Sequence, residues 1–235
     1  CEYQGIKTQI IPDYFHLIQG TTAYFDELDG IPLINTRYIP LDQPLNKWVK
    51  RFIDIILSIV IMVLVSPIML VTAILVKLTS PGPIIYKQIR VGMGRKEFWI
   101  YKFRSMRCDA AIPGEIGWTT ENDPRKTKFG AFIRKTSIDE LPQFFNVLKG
   151  DMSIVGPRPE RPHYVTQFQH EIPKYMIKHH VRPGITGWAQ VQGWRGDTSI
   201  HKRIECDIEY IEKWTLWFDI KVFFMTFKAV IESGY

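Results

Sequence analysis

The sequence predicts an α+β fold, mainly helical and associated with a membrane, with short strands, interfacial helices and a re-entrant membrane helix broken at Ser66-Pro67. Three observations carry this expectation. Residues 54–76 form an apolar run with a single acidic residue at its edge and no charge inside. Gly- and Pro-marked turns separate short apolar runs between residues 80 and 101. Helix start and stop signals then recur, ending in a segment crowded with aromatics over residues 214–231.

The apolar run is long enough for a bilayer. At about 1.5 Å per residue, roughly 20 residues reach across a hydrocarbon core of about 30 Å. A soluble core helix of that length would carry a polar stripe, and this run has none. Lys47, Lys50 and Arg51 precede it, and Lys77, Lys87 and Arg90 follow. Positive charge marks the cytoplasmic side, so both ends favour the same face. Ser66-Pro67 stands at the centre. Proline lacks the backbone donor and crowds the carbonyl four residues back, while a serine hydroxyl can bond the freed carbonyl. Two half-helices that dip in and return satisfy these clues; a kinked crossing helix is the alternative.

Elsewhere, Ile84-Ile85-Tyr86 and Phe98-Trp99-Ile100-Tyr101 read as strands about a hairpin at Gly92-Met93-Gly94. Residues 109–127, rich in Gly, Pro, Asp and Thr, read as a mobile loop. Helices are expected over Ser137–Lys149, closing at Gly150, and over about 160–178 and 200–213. The segment 214–231 reads either as a helix in the headgroup layer or as one packed on the domain's own core. Gly30–Asn35 reads as a strand. Residues 1–45 differ in character from the rest, and the start at Cys1 suggests a piece of a longer chain.

A net charge of +6 over 235 residues suits nucleic acid, an anionic membrane surface or phosphorylated substrates. The apolar run argues against nucleic acid. Three widely spaced cysteines form no C-x-x-C and no zinc spacing, which favours reduced thiols. No basic stretch followed by an apolar run and a cleavage site opens the sequence. Walker, G-x-S-x-G and H-E-x-x-H motifs are absent. His179-His180 reads as a surface pair.

Four segments could carry chemistry. In Arg134-Lys135-Thr136-Ser137-Ile138-Asp139-Glu140-Leu141-Pro142, Ser137 and Glu140 fit a capping box, in which each side chain satisfies a helix-start donor. On spacing alone that structural reading is favoured. The same geometry is an anion site, and adjacent Asp139 and Glu140 suit Mg²⁺ or attack on phosphorus. In Gly156-Pro157-Arg158-Pro159, two prolines stiffen the backbone around Arg158, whose fork matches phosphate oxygens. In YKFRSMR, alternation puts Lys102 and Arg104 on one face, either a phosphate face or a solvated edge. In Val181-Arg182-Pro183-Gly184-Ile185-Thr186-Gly187-Trp188, the glycines allow a close backbone approach to a ligand.

Together, KRFIDIILSIVIMVLVSPIML, YKFRSM, RKTSIDELPQFFNVLKGDMSIVGPRP and HHVRPGITGWAQVQGW resemble the monotopic phosphoglycosyl transferases, the bacterial sugar transferase family. The resemblance spans about residues 46–231 and is closest to the catalytic domain of undecaprenyl-phosphate glucose or galactose phosphotransferases. It implies a catalytic domain at 46–235, with a re-entrant helix at 46–79 and a cytoplasmic and interfacial part at 80–235. Residues 1–45 would be the tail of an upstream Rossmann-like domain plus linker. It implies Asp139 as nucleophile on the β-phosphate of a UDP-sugar, with UMP leaving and undecaprenyl phosphate then taking the phosphosugar. Glu140 would position Mg²⁺ or assist proton transfer, and Lys102, Arg104, Arg134, Arg158 and Arg182 are the candidates for substrate phosphates. The expected site faces the cytoplasm at the bacterial inner membrane, where the product would begin exopolysaccharide, capsule or O-antigen synthesis. A homodimer is an open expectation. Two rivals remain: a transferase that moves the sugar without its phosphate and releases UDP, and a non-enzymatic membrane anchor.

Overall fold

A computed structural model of the chain describes residues 9–10, 25–28, 31–35, 38–107, 126–194, 196 and 198–232. The expected loop at 109–127 lies almost wholly outside these residues. Near the N-terminus, β1 (Gln9–Ile10), β2 (Phe25–Leu28) and β3 (Ile31–Asn35) form an antiparallel sheet in the order β1-β3-β2.

α1 (Pro44–Thr79) is one helical element of 36 residues, about 54 Å long. The sequence expects two half-helices here, and the structure holds one. The reason lies at its centre. Pro67 gives no hydrogen bond to the Val63 carbonyl, and the Ser66 hydroxyl donates to it instead, at 2.8 Å. The carbonyl orphaned by proline is satisfied, so the helix continues. Most of α1's apolar side chains are exposed, Val63, Leu64 and Leu70 among them. That separates it from a buried core helix and makes it long and apolar enough to cross a membrane.

One stripe of α1 packs on the remaining body. Leu57, Ile61 and Met62 meet the main core, and Met69, Ala73 and Val76 meet a smaller cluster around Phe103 and Ile133. Both ends are also fixed by polar contacts. Arg51 donates to the carbonyls of Val147 and Leu148 at 2.5 and 2.9 Å. Asp54 Oδ1 accepts from the Ile154 amide at 3.1 Å. At the far end, Arg104 donates to the carbonyls of Val76 and Ser80 at 3.2 and 2.5 Å.

The expected hairpin is present as β4 (Ile85–Val91) and β5 (Glu97–Phe103), antiparallel, with Tyr86 opposite Lys102. α2 (Lys128–Lys135) starts at Thr127, whose hydroxyl accepts from the Gly130 amide at 2.8 Å. The expected helix over Ser137–Lys149 is divided. A 3-10 turn covers Ile138–Glu140, and α3 (Gln143–Lys149) follows, closing at Gly150 with φ 95°. The capping box does not form, because Ser137 adopts the left-handed conformation and caps nothing.

β6 (Ser153–Val155) and β7 (Gly184–Thr186) pair in parallel. The expected helix at about 160–178 is also divided, into α4 (Pro162–Glu171) and a 3-10 segment at Tyr175–His180. Pro173, which has no amide hydrogen, stands between them. His179 is buried, not at the surface, with Nδ1 3.1 Å from the Gly92 carbonyl. After α5 (Trp188–Val191) come α6 (Ile200–Glu212) and α7 (Leu216–Glu232), close to the expected bounds.

α7 is two-sided. Val222 and part of Phe218 and Phe223 pack on the main core, while Trp217, Ile220, Phe224 and Phe227 are exposed. Both sequence alternatives thus describe one face each. α7 is tied to α1 where Asp219 meets Lys50 at 2.6 Å and accepts from Tyr210 and Trp214 at 2.6 and 3.1 Å.

Candidate active site

Asp139 and Glu140 lie in the 3-10 turn between α2 and α3, and the chain on each side of them is held firmly. Gly130 anchors α2 at close range: a Cβ there would stand 1.9 Å from the Ser105 carbonyl oxygen. Asn146 anchors α3. It is fully buried, donates to the Trp99 carbonyl at 2.7 Å and accepts from the Tyr101 amide at 3.1 Å. These bonds lay α3 along β5 and bring Glu140 beside Lys102.

Glu140 is clamped. Its Oε1 accepts from Lys102 at 2.6 Å and from Arg158 at 3.1 Å. Burial alone would raise its pKa, but Lys102, Arg158 and these hydrogen bonds overcome that and hold it below the usual carboxylate range. Lys102 is pushed below its usual value by burial, partly offset by Glu140.

Asp139 contrasts with its neighbour. It is buried, at 6% exposure, yet no described residue hydrogen-bonds its carboxylate. Burial raises its pKa, and the adjacent charge of Glu140 adds to this, while Lys102, Arg134 and Arg158 oppose it. The result is about 6. Because Glu140 takes the cations' hydrogen bonds, a proton shared by the pair resides on Asp139. Above that pH, Asp139 is an ionised carboxylate that no described residue hydrogen-bonds.

Arg158 is positioned from both sides. Gly184 donates its amide to the Pro157 carbonyl at 2.9 Å, and Arg90 donates to the Pro159 carbonyl at 3.1 Å. Glu160 in turn accepts from Arg203 at 3.2 Å, with both side chains buried. The glycines of the PGITG segment make a close approach, but to backbone rather than to a ligand. A Cβ on Gly184 would stand 2.2 Å from the Gly156 nitrogen, and one on Gly187 would stand 2.3 Å from the Gly156 carbonyl oxygen.

Of the predicted residues, the structure therefore brings together Asp139, Glu140, Lys102, Arg134 and Arg158. It does not bring Arg104 or Arg182 to the carboxylate pair. Arg104 holds the carbonyls that end α1, and Arg182 Nε donates to the Gly150 carbonyl at 3.0 Å, beyond the end of α3. Asn146, Arg90 and Glu160 position the site and were not singled out from sequence. Their signal was weak, since Asn146 and Arg90 bind backbone groups, and Glu160 the side chain of Arg203, all distant in the chain.

A cluster of three or more metal-ligating side chains is absent among the described residues. The donor set still fits Mg²⁺, which binds through one or two carboxylates and completes its shell with water and substrate phosphate oxygens. Asp139 offers a carboxylate that no described residue hydrogen-bonds, with Glu140 next to it. In chemical terms the site couples one free carboxylate to a cationic rim. That combination suits attack on a phosphorus whose oxygens the cations neutralise.

Known proteins resemble this chain over most of its length. The bacterial sugar transferase family model matches residues 45–233, and the chain belongs to that family. It is 46% identical over 230 residues to the UDP-glucose:undecaprenyl-phosphate glucose-1-phosphate transferase of Escherichia coli (strain K12), covering 96% of this chain and 49% of the relative. It is 48% identical over 193 residues to the UDP-N-acetylgalactosamine-undecaprenyl-phosphate N-acetylgalactosaminephosphotransferase of Aeromonas hydrophila, covering 81% of this chain and 45% of that one. It is 39% identical over 195 residues to the exopolysaccharide production protein PSS of Rhizobium leguminosarum bv. phaseoli, covering 79% of this chain and 96% of the relative. The chain thus spans about half the length of the first two.

Proposed function

We propose that this chain is the catalytic region of an enzyme that moves a sugar 1-phosphate from a UDP-sugar to undecaprenyl phosphate. The observation that carries this is Asp139: a buried carboxylate that no described residue hydrogen-bonds, beside a clamped Glu140 and a rim of Lys102, Arg134 and Arg158. The Asp139 carboxylate attacks the β-phosphorus of the UDP-sugar. The bond from that phosphorus to the bridging oxygen breaks, and UMP leaves with the electron pair. The acyl phosphate carries the sugar. A phosphate oxygen of undecaprenyl phosphate then attacks the same phosphorus, freeing Asp139 and giving undecaprenyl-diphosphate-sugar.

Lys102 and Arg158 orient the transferred phosphate and hold Glu140 ionised, so that its charge stays local. Asp139 and Glu140 would hold Mg²⁺, which would supply further charge neutralisation for the transferred phosphate. The sugar is a hexose, with glucose or galactose as first candidates. The product begins exopolysaccharide, capsule or O-antigen assembly. Residues 1–45 are the tail of an upstream Rossmann-like domain plus linker, and 46–235 the catalytic domain.

The re-entrant reading of α1 is supported by its docking. Arg51 near one end and Val76 and Ser80 near the other bind the same body. A helix crossing the bilayer between these points would carry one of them to the far side. The basic residues at both ends favour the cytoplasmic face of the inner membrane, and the exposed face of α7 adds an interfacial surface.

The test is transfer of label from a UDP-sugar carrying ³²P at the β position. The parent chain should become labelled and release UMP. Asp139→Asn should lose labelling by at least about a thousandfold, within the range for removal of a covalent nucleophile. Labelling of that variant at the parent rate would remove Asp139 from the role, and release of UDP would replace the reaction class.

A further inference from the structure

The β4–β5 hairpin brings one further side chain up to the carboxylate pair. Tyr86 stands directly opposite Lys102 in the register of the two strands. Residues paired in this way point to the same face of a sheet, with Cβ atoms about 4.5–5.5 Å apart. Lys102 bonds Glu140 at 2.6 Å, so Tyr86 is the next side chain beyond that lysine. Its neighbours on the same face of β4 are already engaged. Arg90 donates to Gln88 Oε1 at 2.7 Å and to the Pro159 carbonyl at 3.1 Å. Tyr86 is 48% exposed, and no described residue bonds its hydroxyl or stacks on its ring.

The chemistry of transfer says which part of a substrate comes to this ring. The reacting phosphorus lies at Asp139, with its oxygens on Lys102 and Arg158. A single oxygen joins that phosphorus to the anomeric carbon, so the hexose is the part of the donor next to Lys102. The uracil is a second phosphate and a ribose further away. A hexose has a face of C–H groups and a rim of hydroxyls. The C–H face matches the apolar face of a phenol ring, whose edge stays wet. The rim matches polar neighbours: Gln88 Nε2 is bonded by no described residue and can donate to a hydroxyl. A prenyl chain laid here would cover Lys102 and Gln88 without offering either a hydrogen bond.

We infer that Tyr86 is the platform for the sugar of the nucleotide donor, its ring stacked on the C–H face of the hexose and Gln88 bonded to a hydroxyl. The inference rests on the transfer reaction proposed above, which makes the ligand a UDP-sugar. Lys102, Arg134 and Arg158 address phosphates only, so Tyr86 is the group through which the chain distinguishes a UDP-sugar from UDP.

The test compares Kd values by calorimetry for UDP-glucose, UDP-galactose, UDP-N-acetylgalactosamine and UDP. The chain is held in lipid nanodiscs, with Asp139→Asn in place so that nothing is transferred. Tyr86→Ala should weaken the tightest-binding sugar nucleotide about tenfold and change UDP by less than about twofold. Tyr86→Phe, which keeps the ring, should stay within about threefold of the parent. An equal loss for UDP puts the ring under the base or ribose and overturns the inference. Unchanged binding of every sugar nucleotide overturns it as well. If Tyr86→Ala lowers the thermal midpoint so far that no nucleotide binds, Tyr86→Leu keeps bulk on the strand without a ring and is read by the same outcomes. With Asp139 intact, a rise in KM confined to undecaprenyl phosphate would make Tyr86 a lipid contact and overturn the inference too. Absence of UMP release from the parent with any UDP-sugar would instead sink the proposed reaction, and the Kd comparison would still report on Tyr86.

Discussion

Glu140 Oε1 receives both Lys102 and Arg158, and Asp139 receives neither. Two neighbouring carboxylates are thereby given opposite tendencies, one held ionised and one pushed up to about 6 by burial and by its partner's charge. The nucleophile is the ionised form, so the rate of the first half-reaction should fall about tenfold per pH unit below about 6 and level off above it. Glu140→Gln removes the repulsion, so the acid limb should move to lower pH even as the maximal rate drops. A limb that stays near pH 6 in UMP-release profiles would show that the two carboxylates are not coupled. Asp139, Glu140, Lys102 and Arg158 were singled out through the family resemblance, since spacing alone favoured a capping box at the acids and left the bases open between phosphate contact and solvent. Arg104 and Arg182 lie away from the carboxylate pair for a physical reason: helix ends expose carbonyls that attract cations, and which arginine reaches which helix end depends on tertiary packing.

At the level of elements, turn and strand chemistry was the most legible. The Gly92-Met93-Gly94 hairpin and the Gly150 stop are where local rules put them, because both conditions are local. The division of Ser137–Lys149 was not legible, since the S-x-x-E spacing fits a capping box equally well. Ser137 turns left-handed and caps nothing, and the Glu140 side chain meets Lys102 instead of the backbone. The PGITG glycines illustrate a second limit, because a sequence shows that backbone is bare without showing what approaches it. Here β7 meets the segment that carries Arg158. Gly184→Ala should destabilise the chain by about 1–3 kcal/mol or more, read as a lower thermal midpoint. It should also raise the KM for the UDP-sugar, because Pro157 loses its seat.

For the molecule as a whole, a continuous α1 with two docked ends underlies the same-side topology proposed above. Membrane-impermeant amine labelling of inside-out and right-side-out vesicles should find exposed Lys47 and Lys87 reactive from the same side. Reaction from opposite sides would mean that α1 crosses the bilayer, and the shared docking of its ends would then be lost in the membrane. Sequence gave both alternatives for α1 and could not choose between them, since hydropathy reports length and not the return path. The ion pair between Lys50 and Asp219 has a further meaning for biogenesis. Its partners are 169 residues apart, so the apolar segment finds its counter-ion only after the intervening chain has been made. Until then Lys50 must stay hydrated or borrow another anion, and α1 cannot settle fully. A chain cut after Lys213 should therefore insert yet remain protease-sensitive around residues 45–58, short by about 3–5 kcal/mol for a buried charge left alone.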